Sequence, residues 1–320
     1  MIEYYDKNTK TLIIPHRFSE ELKDIPEEIE IIIFGISFNQ PVDNLPKNLT
    51  HLTFSYYFDQ QVNNLPKNLT QLTFSYNFNQ QVNNLPNNLT HLTFSYMFNQ
   101  PVDNLPENLT HLTFGYYFNK PVDNLPKNLT HLTFGFLFNQ QVDNLPESLT
   151  HLTFGKKFNQ KVDNLPKNLI HLTFGIEFNQ SVDNLPKNLT HLTFSYNFNK
   201  SVDNLPETLT YLSFGFNSKF NQNVNKLPKN ICILKLYCLE KFIIPKNVKE
   251  LYIYNNNILI NNLPEHIEKL FIYFENDDED VNIKIDNLPL FLKEIIIEDI
   301  CYKKYIKIPF DTVVTIKNFE

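Results

Sequence analysis

The sequence has 320 residues, of which 42% are hydrophobic, and it carries a net charge of −7 at pH 7. This acidic balance argues against a nucleic-acid binder, which needs a basic surface to neutralise phosphates. The six glycines argue against a glycine-rich phosphate loop. No segment approaches the roughly 20 apolar residues of a membrane span. We therefore expect neither a nucleic-acid nor a membrane partner.

The three cysteines, Cys232, Cys238 and Cys301, all lie in the C-terminal third of the chain. An odd number in one region does not form a disulfide framework, and it favours a reducing compartment. The N-terminal segment carries acidic residues early and has no apolar run long enough for a signal peptide. We therefore expect a soluble protein of the cytoplasm.

A charged segment, residues 1–24, precedes a literal repeat that begins at residue 25 and continues to residue 230. A stacked repeat array needs protected ends, because a bare terminal edge exposes unpaired backbone groups and promotes aggregation. We therefore predict that residues 1–24 form an N-terminal cap.

The repeat of residues 25–230 has a period of about 20 residues, and each copy contains a Leu-x-x-Leu-x-Phe core. In one copy, Leu52, Thr53 and Phe54 alternate between apolar and polar, which is the pattern of a half-buried strand. Pro46 and its equivalents in the other copies exclude a regular helix on the return path. Each copy is therefore predicted to form one coil, with a short strand and an irregular return.

A single coil of this kind cannot fold alone, because the entropy lost in ordering it exceeds what its few apolar side chains contribute. Neighbouring coils must complete the burial and the hydrogen bonding. We predict a leucine-rich-repeat-like solenoid of about 14 coils of about 20 residues. It would have one long parallel β-sheet on its concave face and little helix on the return side.

The repeat continues in degenerate form through residues 231–297, where the apolar core recurs at less regular spacing. Residues 298–320 are rich in charge, and we predict that they form a C-terminal cap. The acidic loop Glu275–Asn282 interrupts the degenerate region, and it is interpreted as a solvated loop.

The Leu-x-x-Leu-x-Phe core followed by Phe-Asn resembles the leucine-rich repeat. More narrowly, Phe38–Pro41, Phe98–Pro101 and Phe118–Pro121, with the neighbouring "LPKNLTHLTF" elements, resemble the FNIP repeat family. That family is known from social amoebae and giant DNA viruses of protists. The resemblance implies a binding scaffold in the cytoplasm of a protist, or in the host cytoplasm if the protein is viral.

Some relatives carry an F-box that docks to a ubiquitin-ligase scaffold. Since only about 25 residues precede the first coil, we expect no F-box here.

The repeat also places identical side chains in columns on the surface. The first outward strand position carries seven histidines, with Gln71 and Tyr211 in the same column: His51, His91, His111, His131, His151, His171 and His191. Parallel imidazoles do not converge as metal ligands do, so we interpret the column as a polar strand face. We expect no metal and no cofactor.

Stacked imidazoles resist joint protonation, so the pKa values of these histidines should be lowered in the fold. The histidines from His91 to His191 are candidate partner contacts.

Three further columns have structural interpretations. The aspartates equivalent to Asp43 are interpreted as turn-capping residues rather than calcium ligands, because glycine-rich turns are lacking. The asparagines equivalent to Asn39 are predicted to join backbone groups of neighbouring coils. An aromatic column is predicted to pack half-buried at the strand ends, and it comprises Tyr56, Tyr76, Tyr96, Tyr116, Phe136, Tyr196 and Phe216.

In the degenerate coils the outward positions cease to be His and Thr. If the register holds, Tyr252, Phe271 and Ile296 form an apolar stripe on the exposed sheet face, and such stripes usually bind a partner. The alternative is that the C-terminal tail folds back over them, or that the register slips by one residue. The stripe is a second candidate partner-binding site.

No catalytic motif is present, and each histidine has near-copies, so none is distinguished as a catalytic group. We therefore predict a protein that is not an enzyme: a monomeric protein–protein interaction scaffold that binds an unidentified protein through its concave face. Two alternatives remain open. One is a substrate-recognition subunit of a ubiquitin ligase without its own F-box, and the other is a structural or self-associating array.

Overall fold

The computed structural model describes residues 5–215, 218–222, 224, 226–236, 244–254, 263–273, 288–297 and 306–316. Phe216, Cys238, Cys301 and the acidic loop Glu275–Asn282 lie outside these residues, as does the predicted C-terminal cap apart from residues 306–316. The chain divides into two compact units, Met1–Leu169 and Ile170–Glu320. Over the described ranges the secondary structure consists of β-strands, turns and bends, with no helix.

Within residues 5–169, the described part of the first unit, there are nine strands. They are β1 (Tyr5–Asp6), β2 (Thr11–Ile13), β3 (Ile31–Ile33), β4 (His51–Thr53), β5 (Gln71–Thr73), β6 (His91–Thr93), β7 (His111–Thr113), β8 (His131–Thr133) and β9 (His151–Thr153). Strands β1 and β2 pair antiparallel. From β2 to β9 each strand pairs in parallel with the next, and equivalent residues of successive coils stand side by side.

The second unit contains β10 (His171–Thr173), β11 (His191–Thr193), β12 (Tyr211–Ser213), β13 (Ile233–Leu236), β14 (Glu250–Tyr254), β15 (Lys269–Tyr273), β16 (Glu294–Ile297) and β17 (Val313–Ile316). Each strand pairs in parallel with the next. The strands lengthen from three residues to four or five where the repeat becomes degenerate.

Each regular coil is built as its sequence predicts. The central Leu of the strand is buried, and its His and Thr neighbours point outward. A turn closes after the Leu-Pro pair, where the Leu129 amide donates to the Pro126 carbonyl over 3.2 Å. The strand then continues into a buried Phe, whose amide donates to the next coil, as from Phe114 to the Thr133 carbonyl at 2.8 Å.

The core of both units contains two rows of stacked phenylalanines. Phe114 and Phe118 of one coil stack with ring centroids 3.7 Å apart. The next coil contains the equivalent pair, Phe134 and Phe138. The ring centroids of Phe114 and Phe134 are 5.7 Å apart, and those of Phe118 and Phe138 are 6.1 Å apart. Offset aromatic stacking at these separations stabilises the core beyond the burial of apolar area. The buried leucines and valine of each coil fill the remaining space.

The predicted leucine-rich-repeat-like solenoid, with coils of about 20 residues and a parallel sheet, is confirmed within each unit. The segments interpreted as caps also take part in the sheets. Strand β2 extends the parallel sheet of the first unit, and β17 extends that of the second.

Candidate functional site

The most regular surface of the first unit is the outward face of β4–β9, which we name the His–Thr face. It comprises the first and third residues of each strand: His51, Gln71, His91, His111, His131 and His151, with Thr53, Thr73, Thr93, Thr113, Thr133 and Thr153. Gln71 is exposed, and the other side chains are half-buried. The strand period of two places both positions on the side opposite the buried leucines.

The histidines of this face form a stack of four parallel rings from His91 to His151. Neighbouring ring centroids are 4.2 Å apart, and the rings are inclined by only 9° to 12°. Gln71 separates this stack from His51. In the second unit, His171 and His191 stack at 4.1 Å, and Tyr211 lies 5.5 Å beyond His191.

Each ring of the stack is held by the threonine that precedes it. The Thr110 hydroxyl lies 2.9 Å from His111 Nδ1 and 3.1 Å from the Thr90 carbonyl oxygen. That carbonyl already accepts two backbone N–H groups, from Thr110 at 2.9 Å and His111 at 3.0 Å. The hydroxyl donates to this carbonyl as well, as the Thr70 hydroxyl does to the Thr50 carbonyl beside Gln71. Because its single proton is engaged there, we assign a proton to Nδ1 of His111, which donates to the hydroxyl oxygen, and Nε2 of the neutral ring is an acceptor.

The same threonine also accommodates a protonated ring. When Nε2 of His111 gains a proton, Nδ1 still donates to the Thr110 hydroxyl oxygen, and the hydroxyl still donates to the Thr90 carbonyl. Equivalent contacts are made at His131 and His151, by Thr130 and Thr150. The preceding threonines therefore support both protonation states of the column.

Burial and the neighbouring rings act against the charged form. Desolvation, followed by the proximity of His131 and His91, lowers the pKa of His111 below its ordinary value. In the second unit, desolvation and then His171 lower the pKa of His191. These two directions agree with the expectation from the sequence.

The prediction that Tyr252, Phe271 and Ile296 form an exposed apolar stripe is wrong, because two of these side chains are buried. The register holds, since Tyr252 pairs with Phe271 and Phe271 with Ile296. However, Phe271 is only 9% exposed and Ile296 only 2%. Tyr252 stays half-buried and stacks on Phe271 at 3.7 Å.

Two lysines of the same outward face lie against the rings of Tyr252 and Phe271. Lys235 Nζ lies 4.3 Å from the ring centroid of Tyr252, and Lys269 Nζ lies 5.3 Å from that of Phe271. Lys269 also pairs with Glu294 at 3.0 Å. The stems of the lysines shield the apolar rings from water, so this part of the sheet is packed and internally neutralised.

The Asn and Asp columns connect neighbouring coils. Asn119 Oδ1 accepts from the Asn139 amide at 2.9 Å, so the asparagine column joins backbone groups as predicted. Asp123 Oδ1 accepts from Asn144 Nδ2 at 3.0 Å, which links coils, and Asp183 Oδ2 also accepts from the Ser181 hydroxyl at 2.7 Å within its own turn. Among the described residues, no group of three or more His, Cys, Asp or Glu side chains is arranged to hold a metal ion.

The aromatic column of the first unit is a stacked ladder at the strand ends. The rings of Tyr56, Tyr76, Tyr96, Tyr116 and Phe136 follow each other at 4.4 to 4.7 Å. Lys156 Nζ ends the ladder, 4.9 Å from the Phe136 ring centroid. Because the ring faces cover each other, mainly ring edges are left on the surface.

Sequence reasoning missed one concave feature of the second unit. An open depression of about 720 Å³ is lined by Asp203, Glu207, Val224, Lys226, Leu227, Lys229, Pro245, Lys246 and Asn247. It lies where the spacing of the repeat becomes irregular, which is the signal that could have located it. Lys226 is paired with Asp203 at 3.3 Å, so the charges of the depression partly neutralise each other.

None of the described residues belongs to a helix that could cross a bilayer.

The structure is similar to solved leucine-rich-repeat proteins. CroV588, described as a circular leucine-rich-repeat protein and coming from a giant virus, is 34% identical with a TM-score of 0.64. The match covers 90% of this chain and 53% of CroV588, so the chain spans about half of that protein's length.

Two bacterial proteins share the fold at lower identity. YopM from Yersinia enterocolitica is 18% identical, with a TM-score of 0.50, over 93% of this chain and 80% of its own. The functional domain of InlJ from Listeria monocytogenes is 15% identical, with a TM-score of 0.52. That match covers 84% of this chain and 64% of the InlJ chain. No curated protein matches the sequence.

The repeats themselves match a family model, the FNIP Repeat. The matches cover residues 18–57, 61–97, 98–137, 122–157, 138–177 and 178–217. Together they span more than half of the 320 residues. The chain therefore belongs to the FNIP Repeat family, with a leucine-rich-repeat-like solenoid fold.

Proposed function

We propose that the chain is a non-catalytic scaffold that binds a protein partner through the outward face of its sheets, and chiefly through the His–Thr face. Repeat folds of this leucine-rich type commonly serve as protein-interaction scaffolds. The observation that carries the proposal is the row of half-buried imidazole rings and threonine hydroxyls on β4–β9, which only Gln71 interrupts and which a regular backbone holds in place. Such a pre-organised surface loses little side-chain entropy on binding.

The same regularity argues against catalysis. Catalytic sites distinguish one group by a special environment that shifts its pKa and orients it toward a reacting atom. His111 and His131 instead have matching neighbours, with a 2.9 Å threonine contact and a 4.2 Å ring spacing at each. A row of equivalent groups is suited to binding an extended surface.

Capture of partners from a protist lysate, with quantitative mass spectrometry, tests this function. We would compare the native chain with a Thr113→Arg/Thr133→Arg variant, which places bulk and charge on the His–Thr face. Tyr117→Arg serves as the control, because Tyr117 is 40% exposed and lies outside the face. Both variants must show native-like melting.

Partners lost only from the Thr113→Arg/Thr133→Arg variant would support binding through the face. Partners retained equally by all three chains would contradict it. Ligase components among the lost partners would favour the substrate-recognition alternative, in which a separate chain supplies the ligase scaffold.

A self-associating array is the second candidate function, and one observation favours it. Leu290, Phe291 and Phe310 are exposed by 74%, 74% and 93%, at turns where the regular coils carry polar residues. Exposed apolar clusters of this kind promote association. Light scattering of the native chain and a Phe310→Ser variant tests it. A monomer at all concentrations, as expected from the sequence, would exclude this function.

We also propose a cytoplasmic location. The odd number of cysteines in one region of the chain does not form a disulfide framework, which suits a reducing compartment. Imaging of a fluorescent fusion in a protist cell tests the location, and a signal confined to secretory compartments would contradict it.

A further inference from the structure

We propose that the His–Thr face of the first unit recognises an acidic protein segment, and that this binding is coupled to proton uptake by the histidine stack from His91 to His151. The inference rests on the proposed function as a protein-binding face, and it names the chemistry of the partner.

The first argument is the hydrogen-bonding character of the face. Nδ1 of His111 is engaged by the Thr110 hydroxyl at 2.9 Å, and His131 and His151 are held in the same way by Thr130 and Thr150. With Nδ1 donating to the hydroxyl oxygen, Nε2 of each neutral ring is an acceptor, and a protonated ring donates from both nitrogens. Protonation therefore turns Nε2 into the N–H donor that a carboxylate acceptor needs.

The second argument is charge. The outward positions of β4–β9, all of which the structure describes, hold only His, Gln and Thr. His111 is faced by His91 and His131 from the adjacent strands, and by threonines on its own and both neighbouring strands. No carboxylate stands at these positions to compete for the rings, although the whole chain carries a charge of −7. On protonation this stripe becomes a cationic surface on an acidic protein.

The later strands of the second unit show the contrast. Their outward positions carry Lys269 and Glu294, which pair with each other at 3.0 Å. That surface is neutralised within the chain and requires no external anion. The outward strand positions of β4–β9 carry no carboxylate, so an acidic partner would supply a counter-charge to the protonated rings.

The third argument is linkage. Rings 4.2 Å apart repel each other when they are charged. Burial, and then this repulsion, lowers the pKa of His111. A bound carboxylate reduces the repulsion, so protons and an acidic partner stabilise each other's binding. This coupling is reciprocal by thermodynamic necessity. Binding should therefore tighten by up to about tenfold per pH unit for each proton taken up.

The experiment uses the full chain and a synthetic peptide of ten glutamates, with ten-glutamine and ten-lysine peptides as controls. Isothermal titration calorimetry at pH 7.5 and pH 6.5, in two buffers of different ionisation enthalpy, counts the protons taken up on binding. The test variant is His111→Gln/His131→Gln, because Gln71 shows that the column accepts glutamine. His16→Gln is the matched control, since His16 is exposed and lies outside the stack.

We expect the glutamate peptide alone to bind, more tightly at the lower pH and with net proton uptake. The His111→Gln/His131→Gln variant should lose at least half of the proton uptake, and His16→Gln should keep all of it. Absence of glutamate-peptide binding, binding without proton uptake, or equal binding of the lysine peptide would each overturn the inference. Partner capture that depends on Thr113 and Thr133 would still support the proposed function in those cases, so the two failures are distinguishable.

Discussion

His111 and His131 stack face to face with ring centroids 4.2 Å apart, and Nδ1 of each ring lies 2.9 Å from the hydroxyl of the preceding threonine. The stack thus combines a contact that favours neutral rings with a side-chain partner that accepts either protonation state. Protonation of the column is therefore opposed by burial and by the repulsion between rings, and not by a missing hydrogen-bond partner.

The first prediction is a loss of thermal stability in acid. His111 and His191 have lowered pKa values in the folded chain, so the unfolded chain binds more protons at these positions. Their contribution to stability is present above the unfolded His pKa of about 6.5, and it is lost as pH falls through the lower folded values. After solvent screening, the loss should be about 1 kcal/mol per stacked pair. We expect a lower melting temperature at pH 5.5 than at pH 7.5.

The matched variant for this prediction is His111→Gln/His191→Gln, which removes both shifted groups. Its melting temperature should fall less between the two pH values than that of the native chain. An equal fall in both chains would show that other groups cause the acid sensitivity.

The second prediction concerns the phenylalanine core. Phe118 is fully buried and stacks on Phe114 at 3.7 Å, whereas the adjacent Tyr117 is 40% exposed. Phe118→Ala should lower the free energy of unfolding by about 3–5 kcal/mol, because it leaves a cavity in the stack. Tyr117→Ala should cost about 0.5 kcal/mol or less. Urea denaturation of both variants checks this, and similar costs would contradict the stacked core.

The third prediction concerns glycine at the bend after the strand. A Cβ at Gly135 would lie 1.7 Å from the carbonyl oxygen of Gly115 in the preceding coil. Gly135→Ala must therefore push two coil backbones apart, at a cost of about 1–3 kcal/mol or more. Ser95 occupies the same column and already carries a Cβ, so Ser95→Ala should be close to neutral. Equal melting temperatures of the two variants would refute the close approach.

The fourth prediction concerns the asparagine column. Asn119 Oδ1 accepts from the Asn139 amide and from Gln140 Nε2, both at 2.9 Å. Asn119→Ala removes this acceptor and should cost about 1 kcal/mol. Asn119→Asp should cost less, because Asp59 makes the equivalent contact with the Asn79 amide at 2.9 Å. If urea denaturation showed Asp to be as damaging as Ala, the column would not act through its acceptor oxygen.

Much of this architecture is predictable because the repeat converts one local pattern into a whole sheet. The alternation at Leu52-Thr53-Phe54 predicts a strand with a buried Leu and an outward Thr, and β4 has this pattern. The literal period predicts the register, since His111 aligns with His131. Where the repeat is nearly exact, every coil meets the same neighbours, so local reasoning holds along the array.

The burial of Phe271 and Ile296 was not predictable in this way. Period-two alternation assigns both to the outward face, which is correct, but alternation does not describe what packs on that face. Lys235 reaches Tyr252 from the neighbouring strand, and Lys269 on the same strand reaches Phe271. Such contacts depend on side-chain conformations in neighbouring coils that differ in sequence.

The sequence by itself determined the period, the strand positions, the parallel register and the columns of like side chains, because each coil is the template for the next. Only the tertiary structure decided which outward columns stay accessible, and how Thr110 holds His111. It also decided that the segments before residue 25 and after residue 297 contribute β2 and β17. These features depend on contacts between coils, and a pattern within one coil carries no information about the side-chain conformations of its neighbours.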